Sequence, residues 1–255
     1  MYKNLESKIK SRQFTGVRRL PQPAGCGGKH DFSNGVQCGR SMIEMLGVLA
    51  IIAVLSVGGI AGYSKAMEKW KTNKLLGDYN MLIMGLIEHQ DNIIKSISSQ
   101  QSGEISLNSV VTALDIVPNS WKIQGRYFND GYGNWIYLYA TNEVRFEGDF
   151  SRIVIDFNLG GLSVKENGTE ISDKFSDKLC IEIYNNLVIP LSSFLQRGYI
   201  YQRGLGDSNT DLMYFGDKYC NAKRKCLKDM NLNDIYKVCN SCDKNNRRCN
   251  ITISF

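Results

Sequence analysis

The pattern of apolar and polar positions divides the chain into three textures. From Met45 to Gly62 the sequence reads MLGVLAIIAVLSVGGIAG, eighteen residues without a charge. A run of that length predicts a membrane-spanning helix. Tyr63 closes it with an interfacial aromatic, and Lys65, Glu68 and Lys69 end the apolar stretch. The pattern then narrows to a stripe. Leu75, Tyr79, Leu82 and Leu86 recur at spacings of four, three and four, and Leu76, Ile83, Ile87, Ile94 and Ile97 widen the same face. This is the period of an amphipathic helix. Span and stripe together predict one helix from about Ser41 to Ile97, apolar all round in its first half and one-sided in its second.

Beyond Gln101-Ser102-Gly103 the texture changes. Leu107 to Ile116 predicts a short helix stopped by Pro118. Asn129-Asp130-Gly131-Tyr132-Gly133-Asn134 is a turn cluster. Three β-rich runs follow, at 135–139, 144–146 and 152–157, and their short connections predict an antiparallel meander lying on the Leu75–Ile97 stripe. Residues 173–195 predict a second helix, kinked near Pro190. The expected fold class is α+β: a long N-terminal helix on an antiparallel sheet, a second helix, and a cysteine-rich C-terminal region. The expected divisions are a leader at 1–39, a membrane helix at 40–63, a head at 64–219 and a cysteine-rich segment at 220–255.

Composition agrees with a folded chain, at 43% hydrophobic and 22% charged residues. The net charge of +6 is unevenly placed. Residues 1–39 carry seven basic side chains against two acidic ones. A basic excess ahead of the span orients the N-terminus inside and the rest of the chain outside. A second basic cluster, Lys223, Arg224, Lys225 and Lys228, reads as solvated surface. Neither cluster accompanies a nucleic-acid recognition motif, so nucleic acid is not an expected partner.

Cysteine usage follows the same topology. Cys26 and Cys38 lie ahead of the span; Cys180, Cys220, Cys226, Cys239, Cys242 and Cys249 lie beyond it. Six cysteines outside the cytoplasm imply disulfides, with fifteen possible pairings. The rival reading is a four-thiolate zinc site at Cys220, Cys226, Cys239 and Cys242, a chemistry suited to a reducing compartment. Residues 220–249 hold few large apolar side chains, so disulfides are expected to supply what burial cannot.

No catalytic constellation is legible. His89 is the single histidine after residue 30 and is expected on a polar helix face. Asp156 and Glu182 are isolated carboxylates, expected to face solvent. Asn167-Gly168-Thr169 and Asn250-Ile251-Thr252 match glycosylation sequons by pattern. Neither enzymatic activity nor a cofactor is expected.

One carboxylate does stand out. Glu44 sits at the mouth of the apolar run, in Gly39-Arg40-Ser41-Met42-Ile43-Glu44. An acid there is costly unless paired. Cleavage after Gly39 creates an α-amine four residues away. These features resemble the type IV prepilin family, which includes the pseudopilins of type II secretion. Gly39 matches the glycine before the cut, Glu44 the fifth mature residue, and the run to Gly62 the membrane segment. The resemblance implies that a prepilin peptidase cuts after Gly39 and methylates Arg40, which stands where the family usually has an apolar residue. It implies that Glu44 pairs with a neighbouring subunit's terminus during assembly. The implied partners are the peptidase, other pilin subunits, the membrane and the pilus or secretion machinery. The implied location is the inner membrane, with the head outside, and then a pilus or pseudopilus serving adhesion, secretion or DNA uptake. The layout with Cys180 on a late helix is also reminiscent of type IVb pilins of the toxin-coregulated kind, which implies a loop closed between Cys180 and a later cysteine. The alternative is a single-pass anchored binding module that does not polymerise.

Overall fold

A computed structural model describes residues 42–97, 103–143, 151–164, 170–172, 174–202, 212–242 and 248–255. The calls on Gly39, Arg40, Cys26, Cys38, the 144–146 run and the 167–169 sequon lie outside these residues. The chain divides into two compact units, Met1–Ser56 and Val57–Phe255.

The first long element is helix α1, Met42–Glu88. In the first unit, its residues from Met42 to Ser56 are all exposed. In the second unit the stripe does what its period requires: Leu75, Leu76, Tyr79, Leu82, Ile83 and Leu86 are buried. The helix is not continuous to Ile97. It is interrupted at His89 and resumes as α2, Gln90–Ile97. The interruption is slight, because the His89 N–H still donates to the Gly85 carbonyl and its own carbonyl accepts from Ile93.

The strands are β1 (Glu104–Ser106), β2 (Lys122–Gln124), β3 (Tyr127–Asn129), β4 (Trp135–Thr141), β5 (Arg152–Asn158), β6 (Leu162–Val164), β7 (Glu170–Ser172), β8 (Arg197–Gln202), β9 (Tyr214–Phe215) and β10 (Cys249–Ser254). Between them lie α3 (Asn108–Ala113), α4 (Asp177–Ile183) and α5 (Leu232–Asn240). The fold class is α+β. The main sheet is eight-stranded and antiparallel in the order β2-β3-β4-β5-β10-β8-β9, with β1 also pairing β4. β6 and β7 form a separate hairpin.

Two sequence expectations are revised here. The second helix is shorter than 173–195: α4 starts at Asp177, capped by the Ser176 side chain accepting from the Leu179 N–H, and widens into a π-helical turn at Tyr184–Val188. The chain leaves helix before Pro190, which cannot supply the N–H a continuing helix needs. The cysteine-rich segment also contributes to the core. β10 lies between β5 and β8 and is buried along its whole length.

Strand alternation gives the sheet two different faces. Ile136, Leu138, Ala140, Ile153, Ile155, Phe157, Ile251 and Ile253 face the α1 stripe in one core. Tyr79 is the joint between helix and sheet. Its ring meets Phe157 at 4.8 Å and Trp121 at 5.7 Å, and its hydroxyl donates to Asp130 Oδ2 at 2.9 Å. Complete burial, reinforced by the Asp130 charge, raises its pKa well above the usual range and keeps it a donor. Tyr184 is equally buried, but its hydroxyl has no hydrogen-bond partner among the described residues.

The two tyrosines therefore respond differently to loss of the hydroxyl. Tyr79→Phe leaves a buried carboxylate short of a donor and is expected to lower stability by about 2 kcal/mol. Tyr184→Phe removes an unsatisfied group and is expected to leave stability unchanged or higher. Chemical denaturation of both variants checks the contrast.

Candidate functional site

Two regions carry chemistry that the core does not explain. The first is the start of α1. Glu44 lies in its first turn, exposed, and is the single charged residue between Met42 and Tyr63. Ile43, Leu46, Leu49, Ile52 and Leu55 are each more than half exposed. At about 25 cal/mol per Å² of apolar surface, a helix in that condition is strongly driven to leave water. α1 is long and apolar enough to cross a membrane, and its most apolar window is exposed.

The second region is the face of the sheet turned away from α1. Tyr127, Tyr137, Tyr139 and Val154 form a separate aromatic cluster there, with Trp135 and Leu162 against it. Arg248, just ahead of β10, threads into this face. Its Nε donates to Asn158 Oδ1 at 3.1 Å, Nη1 to Glu170 Oε2 at 3.1 Å, and Nη2 to Asp156 Oδ2 at 3.4 Å. Only 11% of the Arg248 side chain is exposed, and 10% of Asp156. Thr252 donates a further hydrogen bond to Asp156 at 2.6 Å. Asp156 is thus not the solvent-facing carboxylate the sequence suggested. β5 turns it onto a face where a guanidinium and a hydroxyl satisfy it, as a buried charge requires.

Glu170, on the β6–β7 hairpin, ties that hairpin to the sheet. It accepts from Tyr127 at 2.9 Å and Arg126 at 3.1 Å as well as from Arg248. Burial pushes its pKa up, but the two hydrogen bonds and the arginine charges outweigh burial, and the carboxyl lies below the usual glutamate range. Arg126 also lies over the rings of Tyr127 and Tyr137, 5.3 Å from each centroid. Tyr137 donates to Glu104 at 3.2 Å, and burial together with that carboxylate raises its pKa to about 12.

The predicted cysteines are brought together in three pairs. Cys180 on α4 is bonded to Cys239 on α5, Cys220 to Cys226 in the turn after β9, and Cys242 to Cys249 at the entry to β10. The four residues of the zinc alternative are therefore all disulfide-bonded. A link spanning 59 residues, as between Cys180 and Cys239, is worth about 4 kcal/mol in the chain-entropy account. Of the other candidates, Glu182 is half-buried and accepts from the Asn186 side chain at 2.8 Å. His89 is half-buried at the interruption between α1 and α2. The Asn250 sequon is inaccessible: Asn250 is fully buried, with its amide bonded to Thr252.

Sequence reasoning missed Arg248, Glu170, Arg126 and the tyrosine row. The signal was present in part. Tyr137 and Tyr139 alternate with Ile136 and Leu138, and Asp156 is in phase with Val154 on the opposite side of β5 from Ile153 and Ile155. No family model matches the chain, and comparisons with curated proteins and with solved structures found no match.

The Glu170 cluster sets an acid-side dependence of stability. A carboxyl whose folded pKa is depressed contributes stability that is complete above its unfolded value, about 4.3, and is lost as pH falls through the folded value. Glu170→Gln is expected to lower stability at pH 7 by about 1–2 kcal/mol and to flatten the decline below about pH 4.5. Urea unfolding of both proteins from pH 7 down to about pH 3 provides the comparison.

Proposed function

We propose that the chain is a type IV pilin-like or pseudopilin-like subunit, held in a membrane by the first half of α1 and assembled through that segment into a filament. The observation that carries the reading is one carboxylate, Glu44, in the first turn of a helix whose next eighteen residues are uncharged and exposed. A lone acid in that position is costly in a membrane and demands a cationic partner. A processed α-amine at Arg40 on a neighbouring subunit supplies one, and burial of the apolar half-helix among its copies supplies the driving force.

The division of labour in the chain supports this reading. Among the described residues, the buried positions of α1 begin at Leu75, and Met42–Ser56 are exposed. Three disulfides fit an oxidising location for the folded unit.

Co-expression with a prepilin peptidase, followed by mass spectrometry of the N-terminus, tests the proposal. A mature chain beginning at Arg40 is expected. A chain left uncut overturns the reading in favour of a plain anchored module. Glu44→Ala is expected to insert and be cut normally, yet to enter filaments at least about tenfold less, since a single lost charge pair in a low-dielectric setting is worth that much. Unchanged incorporation removes Glu44 from the assembly role.

A further inference from the structure

The three disulfides among the described residues differ in what surrounds them. Cys180–Cys239 is closed inside the core, with both residues at 0% exposure, and Cys242–Cys249 is nearly as deep, at 5% and 0%. Cys220–Cys226 is the pair that reaches solvent. Both residues are half-buried, and between them Asn221, Ala222, Lys223 and Lys225 are exposed. A disulfide opens when a thiolate attacks one of its sulfurs, so access separates this pair from the other two.

The loop also carries its own scaffold. The Asn221 N–H donates to the Arg224 carbonyl at 3.1 Å, and the Arg224 N–H donates to the Asn221 carbonyl at 3.0 Å. The Phe215 N–H donates to the Lys225 carbonyl at 2.8 Å, and the Gly216 carbonyl accepts from the Tyr219 and Cys220 N–H groups. The bond itself closes a sequence separation of 6, and a loop that short costs little more chain entropy to close without it. Opening this pair therefore leaves the turn held by its backbone hydrogen bonds. It also leaves α5 and the entry to β10 tied by the two buried pairs. Those are the conditions for a disulfide that opens and recloses without unfolding the protein.

Charge then selects the thiol. Between Asp217 and Asp229 the chain carries Lys218, Lys223, Arg224, Lys225 and Lys228, five cations against the two flanking acids. Aromatic residues of β9 hold two of these cations beside the loop. The Arg224 guanidinium lies 5.1 Å from the Phe215 ring centroid, and the Lys225 ammonium 5.6 Å from that of Tyr214. A positive surface attracts an anionic thiol and stabilises the thiolate that departs when the bond breaks.

We propose that Cys220–Cys226 is a thiol–disulfide exchange site for an anionic thiol. The incoming thiolate bonds to one cysteine sulfur, and the S–S bond breaks with its electron pair leaving on the other cysteine. A second molecule of the thiol attacks the first one's sulfur in the mixed disulfide and releases the remaining cysteine. The thiol leaves oxidised as its own disulfide, and the two protons it gave up end on the reduced cysteine pair. The site belongs to the Val57–Phe255 unit and does not depend on whether the chain assembles.

Timed thiol treatment of the full chain in non-ionic detergent, followed by alkylation and peptide mass spectrometry, tests the proposal. The probes are 3-mercaptopropionate, 2-mercaptoethanol and cysteamine, which are anionic, neutral and cationic. Each rate is divided by the same thiol's rate with a neutral small disulfide. Cys220 and Cys226 are expected to become alkylated at least about tenfold faster than Cys180, Cys239, Cys242 or Cys249, whose opening needs the core to open. At low salt the anionic thiol is expected to act at least about threefold faster than the cationic one, the factor that one pair of unit charges about 7 Å apart makes in water. The ratio is expected to fall toward one at about 1 M salt. Lys223→Gln combined with Lys228→Gln, two exposed positions, is expected to at least halve it. Near-ultraviolet circular dichroism is expected to persist while this pair alone is open. A buried pair opening first, or all three opening at one rate, overturns the proposal. So does a rate order indifferent to charge, a ratio that the double variant leaves unchanged, or loss of tertiary structure as this pair opens.

Discussion

Tyr79 is the joint on which the folded unit depends. One side chain from α1 supplies ring contacts to the sheet through Phe157, to the segment before β2 through Trp121, and a hydrogen bond to Asp130 in the turn that launches β4. Asp130 in turn receives the Tyr132 and Asn134 backbone N–H groups and the Asn134 amide. Asn134 passes the constraint on by accepting from the Gly160 N–H just after β5. A helix, a turn and the two longest neighbouring strands are therefore indexed to one another by a short polar chain inside an apolar layer. Apolar burial alone fixes no register, because it is non-directional. The Tyr79–Asp130–Asn134 series adds the direction.

The sheet solves two problems with its two faces. Toward α1 it is uniformly apolar, and dispersion and burial suffice. Away from α1, the covering element among the described residues is the β6–β7 hairpin, and a hairpin of three-residue strands cannot hold itself in place by area. The protein fastens it with charge. Glu170 sits where two arginines and a tyrosine converge, and the Ser172 hydroxyl makes a reciprocal pair of hydrogen bonds with Cys249 at the start of β10. This polar fastening sets the hairpin beside the buried tyrosines of β3 and β4.

How far the sequence reveals this varies with the range of the interactions involved. The α1 stripe was legible because helical periodicity is a local property, and Leu75 to Leu86 repeat it without a gap. β4 and β5 were legible for the same reason. β10 was not, although Ile251, Ile253 and Phe255 alternate with Thr252 and Ser254. The density of lysine, asparagine and cysteine before it masked a short pattern whose partners lie far away in sequence. Asp156 was read as solvated because a lone carboxylate on a strand usually is, and its guanidinium partner is contributed from residue 248. Disulfide-forming cysteines were identified as a set from topology and number, whereas their pairing is a property of which helices pack together, α4 with α5. Glu44 and its apolar run are legible in the sequence as one acid ahead of an uncharged stretch long enough to cross a membrane.

The position of β10 has a consequence for how the molecule comes to be folded. Thr252 meets Asp156 across 96 residues of chain. Until that strand inserts, β5 and β8 are two open edges on two separate half-sheets, each offering unpaired backbone groups to any extended segment nearby. Topologies that close through such distant pairings are slow to form. The Cys242–Cys249 link brings the entry of β10 next to the end of α5, and Cys180–Cys239 moors α5 to α4. Forming these two disulfides thus does more than strengthen the finished fold: it shortens the search of the strand that unites the sheet, and narrows the time in which those open edges are available to a wrong partner.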